Sequence, residues 1–109
     1  MNPKLQNPAA DALWEAVLAL RTPAECQAFF EDILTVAEME ALAQRWAVAT
    51  MLDEGRTYEE IAHATGASSA TISRVKRALT FGADGYRLVL DRLKVRRRNR
   101  VPAGSNNAP

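Results

Sequence analysis

Residues 58–79, reading YEEIAHATGASSATISRVKRAL, constrain the fold of this chain more than any other stretch. The small and apolar positions fall where two short helices crossing around a tight turn require them. Ala62 supplies a small residue at the crossing, four residues before Gly66. Gly66 can take the left-handed backbone that ends a helix at little steric cost. Ile61, Ile72 and Val75 are then expected to face inward and anchor both helices. The opposite face of the second helix carries Ser69, Ala70, Ser73, Arg74, Lys76 and Arg77. Short side chains let a helix lie deep in a groove, and hydroxyl and guanidinium groups reach base edges and phosphates. The pattern predicts a DNA-reading helix-turn-helix.

The 109 residues are enough for one domain with a modest core. No apolar run approaches the roughly 18 residues of a membrane span, and the opening MNPKLQNPAAD lacks a signal-peptide apolar region, so a cytoplasmic location is expected. Cys26 is the single cysteine, which excludes an internal disulfide and, in an apolar-rich helical stretch, predicts a buried thiol. The net charge of +1 conceals a division. Residues 1–55 hold three basic and nine acidic side chains, net −6, whereas residues 56–109 hold eleven and four, net +7. The basic half suits a polyanion, because Lys and Arg at phosphates supply most sequence-independent affinity for DNA.

Every strongly patterned segment has helical periodicity, and no period-two run is sustained. A first helix is predicted over about residues 9–20, with Leu13, Trp14, Val17, Leu18 and Leu20 as its apolar stripe. Thr22 and Pro23 form a hydroxyl cap and first-turn proline, opening a second helix to about Ile33. Thr35 with Glu38, a capping box, opens a long helix to about Glu54 whose expected core face is Met39, Leu42, Ala43, Trp46 and Thr50. Thr57 with Glu60 repeats the box. Ser68 or Ser69 caps the reading helix, which runs to about Thr80. A last amphipathic helix is expected over residues 86–95, around Leu88, Val89, Leu90 and Leu93. Six helices make a domain over residues 1–100, and the polar residues 101–109 are expected to be a disordered tail. The first two helices are more apolar than a small monomer needs, which predicts a homodimer. A symmetric dimer would place two reading helices about one duplex turn, roughly 34 Å, apart.

Residues 34–79 resemble the tryptophan repressor superfamily, most closely its YerC/YecD branch of Trp-repressor-like proteins. The likeness rests on L-T-x-x-E-x-E-A-L-x-x-R, then E-G, then G-A-x-x-A-T-I-S-R, in register. It implies an all-α, six-helix fold that forms an intertwined homodimer, binds operator DNA and regulates transcription. It also implies an effector pocket, since Arg45 and Arg74 match two arginines that sandwich an indole in the tryptophan repressor. Two neighbours depart from that pattern. Val75 stands where the repressor has glycine, and Asp32 where it has a pocket-lining leucine. L-tryptophan is therefore not expected as corepressor, while another small effector stays open. Otherwise Arg45 and Arg74 would be structural or phosphate-facing, with carboxylates such as Asp32 as partners.

Ser69, Ala70, Thr71 and Ser73 are the candidates for base contact, although Ser69 could serve only as a cap and Thr71 could lie on the inner flank. Arg74, Lys76 and Arg77 are the candidates for phosphate, with Arg56, Thr57 and the amide end at Ser68 adding contacts. The run from Lys94 to Arg100 is either a phosphate-following arm or a solubilising tail. His63 stands alone, so no metal is expected, and no cofactor-binding loop or nucleophile motif is present. The chain is expected not to be an enzyme. Its expected partners are double-stranded DNA and a second copy of itself. The rival expectations are a sequence-tolerant architectural or replication-linked DNA binder, and a helical adaptor that binds proteins through its acidic half.

Overall fold

The computed structural model describes residues 1–100, without the Arg100 side chain; the expected tail over 101–109 lies outside the described residues. The described residues form six α-helices and no strand: α1 (Pro8–Leu18), α2 (Pro23–Ile33), α3 (Val36–Asp53), α4 (Tyr58–Thr65), α5 (Ser69–Phe81) and α6 (Gly85–Arg100). A short 3-10 turn, Pro3–Leu5, precedes them. The chain divides into two compact units, residues 1–46 and the part beginning at Ala47, with α3 continuous across the boundary.

Local chemistry sets the helix starts. Asn7 accepts a hydrogen bond from the Ala10 amide at 2.8 Å, with Pro8 in the first turn. Thr22 does the same for Glu25 at 3.1 Å, and Glu25 in turn accepts from the Arg21 amide at 2.8 Å. The predicted box at α3 is present, with the Glu38 amide donating to Thr35 Oγ1 at 3.1 Å and the Thr35 amide to Glu38 Oε1 at 2.8 Å. These bonds satisfy helix-end amides that would otherwise lack partners. They also hold the exposed Glu38 carboxyl below its ordinary pKa, through the backbone and then the hydroxyl of Thr35.

The first unit contains no buried residue. Leu13, Val17, Leu20, Phe29 and Phe30 are half-buried, and the two phenyl rings meet edge to face at 5.4 Å. Trp14 is 52 % exposed and Leu18 84 %. Cys26, expected to be buried, is exposed, because two short helices build no interior that could enclose it. The second unit holds the core: Val48, Ala49, Ile61, Ala67, Ile72, Val75 and Leu90.

Two further expected features need correction. In α3 the buried residues are Val48 and Ala49, whereas Met39, Leu42 and Ala43 are exposed and Trp46 and Thr50 half-buried. The helix is apolar on two faces, and the more regular stripe is the one left open. The last helix also runs past Val95 to Arg100. Arginine is a good helix former, nothing before Pro102 breaks the pattern, and cations near a helix C-terminus oppose its dipole favourably.

At the C-terminal end of α3 Asp53 joins a network of ion pairs. It accepts from Arg87 Nη1 at 2.8 Å and Lys94 Nζ at 2.7 Å, both on α6, and Arg87 also reaches Asp91 at 2.8 Å. A carboxylate at a helix C-terminus is disfavoured by the helix dipole. The two cations outweigh that effect and hold Asp53 at a pKa of about 2. The same pairing raises the pKa of Arg87.

Candidate nucleic-acid interface

The pair α4–α5 builds the site from its turn outward. Thr57 caps α4 with both halves of the box: the Glu60 amide donates to Thr57 Oγ1 at 3.1 Å, and the Thr57 amide to Glu60 Oε1 at 2.9 Å. Those bonds, backbone first, lower the pKa of Glu60. Gly66 ends α4 with φ of +72°, its amide donating to the Ala62 carbonyl at 2.9 Å. An L side chain adopts that backbone only under strain, so the glycine position carries the turn. Ala67 is buried, and its amide donates to Thr65 Oγ1 at 3.1 Å. Ser68 then starts α5. Its hydroxyl accepts from the Thr71 amide and donates to Thr71 Oγ1, both at 3.1 Å.

These bonds sort the nine expected DNA-contacting residues. Thr57 and Ser68 commit their hydroxyls to capping, and Thr71 is half-buried and bonded to Ser68. The other six, Ser69, Ala70, Ser73, Arg74, Lys76 and Arg77, are all exposed. At about 100° per residue they share one arc of α5, about 160° wide. Thr71, Ile72, Val75, Ala78 and Leu79 occupy the opposite side, with Ile72 and Val75 buried. The outer arc has no carboxylate, and none of its three cations is ion-paired among the described residues. It can offer hydroxyls and positive charge to a groove while its inner side holds it to the domain.

Three placements were not foreseen. Phe81, at the end of α5, is 78 % exposed beside the outer arc. Lys94, expected in the basic run, is held by Asp53. The Asp53–Arg87 pair spans 34 residues of sequence, and no local spacing signals it. Val75 is 2 % exposed, so the position where the repressor has glycine is filled by a packed side chain. Arg45 is half-buried and makes no salt bridge with Asp32; Arg74, in the other unit, is exposed. His63 is exposed, and no metal-ligating cluster occurs among the described residues.

Comparison with known proteins places this geometry in a wider group. The family model described as Trp repressor protein matches residues 9–94. The uncharacterized protein YerC of Bacillus subtilis is 50% identical over 91 residues, covering 84% of this chain and 88% of YerC. A crystal structure of a TrpR-like protein from Eubacterium eligens superposes with a TM-score of 0.83 at 50% identity, over 85% of this chain and 96% of that one. A Trp repressor candidate from Staphylococcus aureus gives 0.81 at 48% identity, over 84% and 92%.

Proposed function

The chain belongs to the Trp repressor family, and from that premise we propose that it is a sequence-specific, DNA-binding transcription regulator that acts as a homodimer and represses by occupying promoters. The observation that carries this is the division of α5, with six exposed small, hydroxylic or cationic residues on one arc and Ile72 and Val75 buried on the other. In this mechanism α5 enters the major groove, where Ser69, Ala70 and Ser73 near its N-terminal end meet base edges. Arg74, Lys76 and Arg77 hold the flanking phosphates. The capped start of α4 at Thr57 and the start of α5 at Ser68 present amide ends to the backbone. The protein acts by binding rather than by catalysis.

Dimerisation is supported by the first unit, whose apolar side chains stand exposed on a chain that buries none of its first 46 residues. The packed Val75 argues against L-tryptophan as corepressor, since an indole would need the volume that its side chain fills. A cytoplasmic site of action follows from the DNA partner, and no described helix is long and apolar enough to cross a membrane.

Selection of bound duplexes from a random pool near physiological salt tests the function. A palindromic winner with half-sites about one turn apart is expected. A pool that stays random, with binding lost as salt rises, would indicate a sequence-tolerant architectural binder instead. Absence of any duplex binding, alongside a stable complex with another protein, would indicate an adaptor.

A further inference from the structure

The basic run at the end of α6 is divided by its contacts. Lys94 turns back onto Asp53, and Arg87 joins the same carboxylate, so α6 is pinned to the end of α3. The cations Arg92, Arg96, Arg97 and Arg98 are exposed, and none makes a salt bridge among the described residues. They sit on a helix that packs against α5, the proposed reading helix. The run is thus helix fixed within the reading unit, not a loose arm.

We propose that residues 92–98 of α6 form a second phosphate-binding surface, which grips the sugar-phosphate backbone of the duplex that α5 reads. This rests on the DNA-binding function above. Charge complementarity is the first support: Arg92, Arg96 and Arg97 fall within one arc of about 140°, Arg98 follows at the end of the helix, and none of the four is ion-paired among the described residues. Guanidinium is the second, because its planar fork pairs with phosphate oxygens in a bidentate way and stays charged at any relevant pH. Length is the third. The rise from Arg92 to Arg98 is about 9 Å, over which one DNA strand presents about three phosphates. An anionic membrane fits less well, because a basic helix lying on lipid needs a free apolar face. In α6 Leu90 is buried and Leu93 half-buried, and the exposed Leu88, Val89 and Val95 are too few and too scattered to make a continuous one. Asp53 is a positioning residue in this scheme: it holds the helix and takes Lys94 out of the contact set.

The test uses the full chain and the triple variant Arg92→Ala, Arg96→Ala, Arg97→Ala. Fluorescence anisotropy would follow a selected duplex and a random one from 50 to 200 mM salt, with circular dichroism confirming unchanged helix content. Three lost phosphate contacts should flatten the log–log salt slope by about 2.7 per bound chain. Affinity would then fall about 40-fold less across that range than it does for the unmodified protein. Affinity for both duplexes should drop together, leaving their ratio unchanged, and the corresponding triple Lys variant should restore the slope. A variant with the original affinity and slope, while the unmodified protein binds, would overturn the second surface but leave α5 as the reader. Loss of binding to phosphatidylserine vesicles with duplex binding intact would overturn it in favour of a membrane. Failure of the unmodified protein to bind any duplex would refute the function itself.

Discussion

Replacing Asp53 with Asn removes one negative charge from the point where Arg87 and Lys94 converge, at 2.8 and 2.7 Å. The shape hardly changes, so the loss is electrostatic. The carboxyl is displaced from 3.8 to about 2, which at 1.36 kcal/mol per unit corresponds to about 2.4 kcal/mol. The Asp53 side chain is 12% exposed, but those of Arg87 and Lys94 are 40% and 54% exposed, and water screens part of the attraction. A loss of about 1–2 kcal/mol is therefore expected. It stays below the 3–5 kcal/mol typical of a broken buried pair, because the freed cations can rehydrate. At 4–8 °C per kcal/mol for a domain near 100 residues, the thermal midpoint should fall by about 4–16 °C. Urea and thermal denaturation at one fixed protein concentration, followed by circular dichroism, would measure the free energy and the midpoint. The folded-state pKa lies below the unfolded one, so the contribution is complete above about pH 4 and is lost as pH falls toward 2. The gap between the original protein and Asp53→Asn should hold from pH 7 to 5 and close between pH 4 and 2. A gap that persists unchanged at pH 2.5, or no gap at pH 7, would refute this electrostatic account.

Four other substitutions probe the reading unit. Ile61→Ala, at a fully buried core position, should cost about 3 kcal/mol in chemical denaturation. Thr57→Ala should cost about 1 kcal/mol by removing the α4 cap, and duplex affinity measured where the variant is fully folded should change little if the hydroxyl serves only the cap. Gly66→Ala should destabilise by about 1–2 kcal/mol through its left-handed backbone alone, because a Cβ there meets nothing. Gly82→Ala should destabilise more in a thermal melt, since its Cβ would collide with the Ala78 carbonyl oxygen at the end of α5.

Much of this was legible because it is written in short-range chemistry. Thr35 with Glu38 and Thr57 with Glu60 announce helix starts, Gly66 announces the turn, and the spacing of Ile61, Ile72 and Val75 sets the inner side of the motif. The exposed arc of α5 follows from the same spacing. Side chains serving long-range geometry were less legible. Nothing local separates Lys94 from its arginine neighbours, since its role depends on Asp53 across a sequence gap. Nor does hydroxyl chemistry alone tell a cap from a base contact, so Thr57, Ser68 and Thr71 looked like Ser69 and Ser73 until their partners were placed. Met39, Leu42 and Cys26 show another limit: apolar spacing says that a face wants cover, not whether its own chain supplies it.

The six outer residues of α5 form no side-chain bond with the rest of the described chain. The arc can therefore be rewritten at little thermodynamic expense, because neither the caps nor the core depends on it. The turn is under the opposite constraint. One residue inserted between Gly66 and Ser68 would leave α5 internally intact but break the register between its inner side and α4. The outer surface can thus change letter by letter without cost to the fold, whereas the length of the hinge beneath it cannot.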